Sequence, residues 1–312
     1  MKTVPKVSII IPVFNSENCL KKCLNSVRNQ TLKDIEIILI DDCSNDKSVQ
    51  IIKETAKKDK RIKYILNKKN GGPATARNLG LKIAIGTYIG FIDSDDYVDL
   101  DFYEKLYSAA IEQKADISKT TAIMIDPDGI TKSVFGPDFT DIQKSKSALS
   151  YSFTTCIYNR CFLNKYNILF PTELKLAEDA YFILNASLHS NKIALIMSTN
   201  YYYVRRTNSL DSSSLNLTKI KQLIKYVSKI IQLINNSPLS MEEYNQTFLW
   251  KINYLLTDIF FRTNNKTSRA FIAKNAKQLW DLYKYKKQYT AKYISYTNHN
   301  NQQGMQLTIT PI

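Results

Sequence analysis

The chain has 312 residues, 44% of them hydrophobic, and a formal net charge of +15. That size and apolar share predict a globular chain with a sizeable core, while apolar runs such as "VSIII" and "IEIILI" stop well short of the roughly 18 residues of a spanning helix. Five cysteines (Cys19, Cys23, Cys43, Cys156, Cys161) form no CxxC pair and lie far in sequence from His189 and His299, which argues against a zinc site and for a reducing cytoplasm.

The opening "MKTVPKVSIIIPVF" has a short apolar run containing Pro12 and no small-residue cleavage site, so it reads as a first strand. Then come "NCLKKCLNSVRNQT", "DIEIILIDD", "SVQIIKETAKKDK", "RIKYILN", "PATARNLGLKIAI" and "TYIGFIDSDD", which give four strands with three helices between them. Short strands joined by crossover helices predict an α/β fold: a mostly parallel sheet flanked by helices, with ligands bound outside the carboxyl ends of the strands. Each of those ends is polar: Asn15 and Glu17, then Asp41 and Asp42, then Asn70, Gly71 and Gly72, then Asp93 and Asp95. Residues 116–212 read as mixed strands, loops and short helices, with a turn at "DPDG". From residue 213 the pattern turns helical, with Leu217, Ile220, Ile224, Val227 and Ile231 at helical spacing, "MEEYNQTFLWKINYLLTDIFF" continuing it, and a loosely ordered polar tail "SYTNHNNQQGMQLTITPI". The expected parts are therefore residues 1–115, 116–212 and a basic helical region 213–312, which holds 14 Lys and Arg against 4 Asp and Glu.

The stretch "YIGFIDSDDYVDLDF" concentrates Asp93, Asp95, Asp96, Asp99 and Asp101 in this basic chain. On a strand Asp93 and Asp95 project to one side, and their repulsion has to be offset by solvent, a nearby cation or a divalent metal. Asp96, Asp99 and Asp101 read as a solvated turn and first helical turn. No GxGxxG follows the first strand and no GxxxxGK[ST] occurs, so neither a dinucleotide turn nor a P-loop is supported. An acidic pocket suits a metal with oxygen ligands, and a diphosphate can enter with the metal between.

The segments "VSIIIPVFN" with Glu17, "SVRNQT", "IEIILIDDCSND", "NGGPATARNLGL", "GTYIGFIDSDD" and "AEDAYF" together resemble a bacterial family-2 inverting glycosyltransferase with the GT-A fold. The resemblance is close to continuous over residues 6–110, patchy to about 210, and absent beyond 213. It implies transfer of a hexosyl or N-acetylhexosaminyl group from a UDP-sugar to a hydroxyl of a glycan or lipid-linked acceptor, in cell-surface polysaccharide synthesis. It implies Asp95 on Mn²⁺ or Mg²⁺, Asp93 near the ribose with Ser94 between them, and Pro12, Phe14, Glu17 and Asp42 around the uracil. Asn70 and Arg77 match a nucleotide-contacting segment, although an ion pair to a local aspartate is the alternative reading of Arg77. Asp179 is implied as the catalytic base and Glu178 as its neighbour in acceptor binding, against the alternative that both only complement a helix dipole. Arg206, with Arg205 second, matches a diphosphate contact, with Asp211 departing from the family pattern in that loop. The missing QxxRW motif argues for single additions rather than a processive polymerase.

Two other classes compete. A nucleotidyltransferase would carry a Gly-rich basic loop after strand one, which "PVFNSENCL" lacks, and a non-catalytic anionic-surface binder would use the basic last third but leave the polar strand ends unexplained. Nucleic acid is not an expected partner, whereas a homo-oligomer is compatible with the sequence. The segment "SRAFIAKNAKQLWDLYKYKKQYTAKYISY" interleaves aromatics and lysines, which suits peripheral contact with an anionic membrane at its inner face or, equally, an inward-packed helical subdomain.

Overall fold

The structure is a computed structural model and describes residues 4–126, 128, 129, 131–135, 152–205, 216–237, 271, 272, 274, 275, 289–297 and 303–311. By its contacts the chain divides into two compact units, one of Met1–Thr172 with Phe182–Ser209 and one of Glu173–Tyr181 with Leu210–Ile312.

In the first unit, β1 (Val7–Val13), β2 (Ile35–Asp41), β3 (Ile62–Leu66) and β4 (Tyr88–Phe91) alternate with α1 (Leu20–Arg28), α2 (Ser48–Lys58) and α3 (Pro73–Ile83). They are followed by β5 (Tyr97–Val98), α4 (Phe102–Glu112), β6 (Ile117–Ile125), β7 (Thr131–Phe135), β8 (Cys156–Asn159), α5 (Arg160–Lys165), α6 (Glu178–His189), of which the part from Phe182 belongs to this unit, and β9 (Ile193–Val204). The strand order is β3-β2-β1-β4-β8-β6-β9-β5, with β7 on β6. β1 pairs parallel with β2 (Ile9 opposite Ile37) and with β4 (Ile9 opposite Gly90). The expected parallel character holds across β3-β2-β1-β4, where every link is a helical crossover. Beyond β4 the sheet is mixed: β8 is antiparallel to β4 and β6, β5 to β9 and β7 to β6, while β6 and β9 run parallel. Between β6 and β7 the chain turns in a few residues, with Gly129 N–H donating to Asp126 O at 2.8 Å, and so short a link permits only antiparallel pairing. β6, just past residue 115, thus shares one sheet with β1–β4.

Because strand side chains alternate, β1 feeds two cores. Val7, Ile9, Ile11 and Val13 pack with Leu20, Leu24 and Val27 of α1 and Ile52 of α2, whereas Ile10 joins Ile38, Ile40, Ala76 and Phe91 on the other face. At the amino ends of the strands, buried Glu36 accepts from Lys63 Nζ (2.6 Å), Ile85 N–H (2.7 Å) and the Ser8 hydroxyl. Burial alone would raise that carboxyl, but these donors outweigh it and hold it below the usual range. Glu36 thus ties β1, β2, β3 and the turn before β4 together at the amino ends of the strands.

In the second unit α7 (Leu217–Asn235) starts at Asn216, whose side chain accepts from Lys219 N–H at 2.9 Å. Ile220, Ile224, Val227 and Ile231 are buried along it, as their spacing predicts, and Leu217 is exposed. Lys229 pairs with the Glu173 carboxylate, and Lys225 donates to Glu173 O at 3.1 Å. The expectation of a wholly helical region with a loose tail is corrected here: β10 (Tyr289–Thr297) and β11 (Gln303–Pro311) form an antiparallel pair, with Tyr293 opposite Leu307. "YTAKYISYT" and "QLTIT" are rich in Tyr, Ile and Thr, whose strand preference outweighs a polar overall composition. "MEEYNQTFLWKINYLLTDIFF" lies outside the described residues, as does most of the Lys- and aromatic-rich segment before β10. No helix among the described residues is long and apolar enough to cross a membrane.

Candidate active site

The loops after β1 and β2 are stitched together. Asn15, in the left-handed region (φ 48°), accepts at Oδ1 from Asn45 N–H at 2.9 Å, and its own N–H donates to Ser44 Oγ at 3.0 Å. Glu17 N–H donates to Asp46 Oδ2 at 2.9 Å, and Glu17 Oε2 accepts from Lys47 N–H at 3.0 Å. Pro12 is half-buried and Phe14 is 50% exposed at the rim. Asp41 accepts at Oδ2 from Ser44 N–H at 3.1 Å, which closes the turn after β2. Asp42 is only 3% exposed, and its two oxygens accept from Gly71 N–H, Gly72 N–H (2.7 Å) and Asn67 Nδ2 (3.0 Å). Those donors fill most of the roughly four lone-pair positions of a carboxylate, so Asp42 occupies the amino end of α3 and retains room for about one further donor. Asn70 Nδ2 donates to Asp42 O at 3.2 Å.

The acidic stretch divides by its contacts. β4 ends at Phe91, so Asp93 and Asp95 stand in a turn beyond the strand, closed by Asp96 N–H donating to Asp93 O at 3.0 Å. This corrects the expectation that strand alternation places them on one side. Arg77 Nη2 lies 2.7 Å from Asp93 Oδ1, with 7% of its side chain exposed against 30% for Asp93. Its guanidinium sits 4.6 Å from the Phe153 ring centroid and 5.3 Å from that of Phe170, a desolvated cation beside two aromatic rings. The aspartate ion pair, the alternative reading of Arg77, is thus what the geometry shows. Asp96 is likewise not solvated: it is 2% exposed, and its oxygens accept from Tyr201 Oη at 2.6 Å and Val204 N–H at 2.9 Å. Burial, with Asp93 and Asp95 adding repulsion, pushes its carboxyl well above the usual range. Asp99 accepts from Asn200 N–H (2.9 Å), Asn200 Nδ2 (3.1 Å) and Tyr202 Oη (2.9 Å), and Asp101 accepts from Thr199 Oγ1 (2.8 Å). Three of the five aspartates therefore staple the turn and the start of α4 to β9, while Asp93 and Asp95 stay half-buried just past the carboxyl end of β4. Ser94 is buried and shares a 2.7 Å hydrogen bond with Ser16, which anchors the same turn to the loop after β1.

Residues 8–165 match the model of glycosyl transferase family 2. The chain belongs to that family. Its relatives include a poly(ribitol-phosphate) beta-glucosyltransferase of Bacillus spizizenii, 37% identical over 203 residues that cover 64% of this chain and 32% of the relative. The chain thus spans about a third of that protein's length. Among solved structures, S. aureus TarS 1-349 in complex with UDP-GlcNAc superposes with a TM-score of 0.70 at 22% identity, covering 96% of this chain and 99% of that one. The mannosyltransferase PcManGT from Pyrobaculum calidifontis, in complex with GDP-Man and Mn²⁺, superposes with a TM-score of 0.60 at 14% identity over 91% and 82% of the two chains. At those identities the likeness establishes the GT-A fold.

The remaining residues of the family pattern fall in different places. Glu178 and Asp179 open α6 within the second unit, Glu178 half-buried and Asp179 exposed, and Asp179 Oδ1 accepts from Ala180 N–H at 2.7 Å. Ala177 just before them is in the left-handed region (φ 60°), a conformation that costs a non-glycine residue on the order of 1 kcal/mol. Arg205 N–H donates to Ile125 O at 2.8 Å and its guanidinium lies 3.6 Å from Asp126. Arg206 and Asp211 lie outside the described residues. Sequence reasoning missed Tyr201 and Asp96 as supports of the acidic turn. The signal it could have used is the tyrosine run "NYYYV", an unusual density of hydroxyls at the end of a strand.

A divalent ion fits the donor set, since the half-buried carboxylates of Asp93 and Asp95 are hard oxygen donors. Among the described residues no group of three or more His, Cys, Asp or Glu is arranged to hold a metal. One or two carboxylates completed by phosphate oxygens and water is the usual pattern for Mg²⁺ with nucleotides.

Proposed function

We propose that this chain is an inverting, metal-dependent glycosyltransferase that moves a hexosyl or N-acetylhexosaminyl group from a UDP-sugar to a hydroxyl of a glycan or lipid-linked acceptor in cell-surface polysaccharide synthesis. The observation that carries this reading is the sorting of the acidic stretch: three aspartates are bound to β9, whereas Asp93, paired with Arg77, and Asp95 stand half-buried just past the carboxyl end of β4. Family membership and the UDP-GlcNAc complex of the TarS neighbour support the donor class.

Asp95 would hold the divalent ion, which when bound neutralises charge on the departing diphosphate. Asp93, oriented by Arg77, would meet the ribose. Pro12, Phe14 and Glu17 would line the base pocket, Asp42 would accept from the uracil ring through its remaining capacity, and Asn70 and Ser94 would shape the floor beneath the nucleotide. Asp179 is the base: its exposed carboxylate takes the proton of the acceptor hydroxyl while that oxygen bonds to the anomeric carbon and the bond to the diphosphate oxygen breaks. One displacement gives inversion, Glu178 would orient the acceptor, and Arg206 would contact the diphosphate. The aromatic and lysine-rich segment after residue 268 would meet anionic lipid at the inner face of the membrane, close to a lipid-linked acceptor.

Thermal melting of the full chain with a panel of sugar nucleotides tests this, with and without Mn²⁺. A stabilisation by UDP that needs metal supports the transferase, about 2.7 kcal/mol at a hundredfold excess over Kd. A shift with polyanions alone would instead support a non-catalytic anionic-surface binder. Inversion is checked by NMR of the product anomer.

A further inference from the structure

The acidic turn is held from four sides. Arg77 takes the Asp93 carboxylate, Ser16 takes Ser94, and the Cys23 thiol donates to Asp93 O at 3.5 Å. The fourth hold comes from β9 and is of a different kind. The Tyr201 phenol, fully buried, donates to Asp96 Oδ2 at 2.6 Å and accepts from Asp93 N–H at 3.2 Å, while Val204 N–H donates to Asp96 Oδ1 at 2.9 Å. One hydroxyl thus bridges the first and last residues of the turn, and one carboxylate bridges two positions of β9. Between those clamped ends lies Asp95, whose placement follows from theirs.

We propose that Asp96 and Tyr201 are positioning residues for donor binding: they form a latch that fixes where Asp93 and Asp95 present their oxygens. The inference rests on the donor-site reading above. It follows from what the phenol alone supplies. Removing its oxygen leaves Asp93 N–H without an acceptor and Asp96 Oδ2 without its donor in a buried place, and a buried polar group left unpaired is destabilising. The turn relieves this by shifting, and the shift moves the two mouth carboxylates, because Asp96 keeps its second anchor on Val204. Tyr202 is the matched comparison one residue along β9. Its phenol donates to Asp99 at 2.9 Å, and its ring stacks on Tyr97 with centroids 4.6 Å apart, outside the Asp93–Asp96 turn.

The test compares Tyr201→Phe, Asp96→Ala, Asp96→Asn and Tyr202→Phe in the full chain, reading UDP affinity by calorimetry in Mn²⁺ and in EDTA, together with the melting temperature. A latch predicts at least tenfold weaker UDP binding in Mn²⁺ for Tyr201→Phe and Asp96→Ala, with less than a twofold change in EDTA. Asp96→Asn, which still accepts from Val204 N–H, should retain more metal-dependent affinity than Asp96→Ala. Tyr202→Phe should lower the melting temperature and leave affinity in Mn²⁺ within twofold of wild type. Tyr201→Phe and Asp96→Ala matching wild type in metal-dependent affinity while melting earlier would overturn the latch and leave the donor site standing. An equal loss for Tyr202→Phe would overturn it too, by showing general loosening of β9. A wild-type chain that binds neither UDP nor GDP in Mn²⁺ would remove the donor-site reading and the latch with it. Should Asp96→Ala fail to fold, Tyr201→Phe and Asp96→Asn decide between the same outcomes, since both nearly preserve volume.

Discussion

Replacing Arg77 with Met tests whether the Arg77–Asp93 pair organises this end of the sheet. Breaking a buried ion pair from one side costs about 3–5 kcal/mol, because a charge is left without its partner. Here Asp93 keeps 30% of its side chain in water, which offsets part of that cost and brings it to about 2–3 kcal/mol. The guanidinium also lies 4.6 Å and 5.3 Å from two aromatic rings, and a thioether retains much of the dispersion but not the cation–ring attraction, a further loss of about 0.5–1 kcal/mol. A total near 3 kcal/mol corresponds to a fall in melting temperature of about 6–12 °C for a domain of this size. Arg77→Lys should lose roughly half as much, since it keeps the charge but not the fixed fork of donors that meets Asp93. The assay is thermal and urea unfolding of the full chain in EDTA, arranged as a cycle with Asp93→Asn. A true pair gives a coupling of about 1.5 kcal/mol or more, with the double variant more stable than the two single penalties predict. Strictly additive penalties, or a loss under about 1 kcal/mol for Arg77→Met, would refute the reasoning and return Arg77 to a direct nucleotide contact.

Asp95→Asn should abolish metal-dependent UDP binding in calorimetry while leaving the melting temperature near wild type; Asp93→Asn should do the same but melt earlier, because it also strands Arg77. Asp179→Asn should bind donor as wild type does and lose transfer by about 10²–10⁴-fold, since the base acts on the acceptor proton in the transition state; transfer within a few-fold of wild type would place the base elsewhere. At the end of α2, Arg61 first and Arg28 second hold the Asp59 carboxyl down to about 2. A depressed folded value stabilises above the unfolded value and fades as pH falls through the folded one. Asp59→Asn should therefore cost about 1–2 kcal/mol at neutral pH, allowing for water around the arginines, and the gap to wild type in urea titrations should close between about pH 4 and pH 2.

The fold of the first hundred residues was legible because its signals are local. A run such as "VSIII" can be satisfied only by burial on both faces of a strand, and crossover helices of ten or so residues between such runs leave a parallel sheet as the economical arrangement. The polar carboxyl ends, the order of the family motifs and the stripe of α7 were legible for the same reason: each depends on residues within a few turns of one another. The hairpin of β10 and β11 is less legible, because the polar composition of its segment masks the strand preference of its Tyr, Ile and Thr. Composition also could not assign the five aspartates. Asp93 found its cation sixteen residues earlier in Arg77, while Asp96, Asp99 and Asp101 found their donors about a hundred residues later in Thr199, Asn200, Tyr201, Tyr202 and Val204. A carboxylate buried against a tyrosine and one half-buried beside an arginine are the same letter. Only the approach of β9 to the end of β4 decides which is which, because that approach determines where water is excluded and a charge must be met by protein donors.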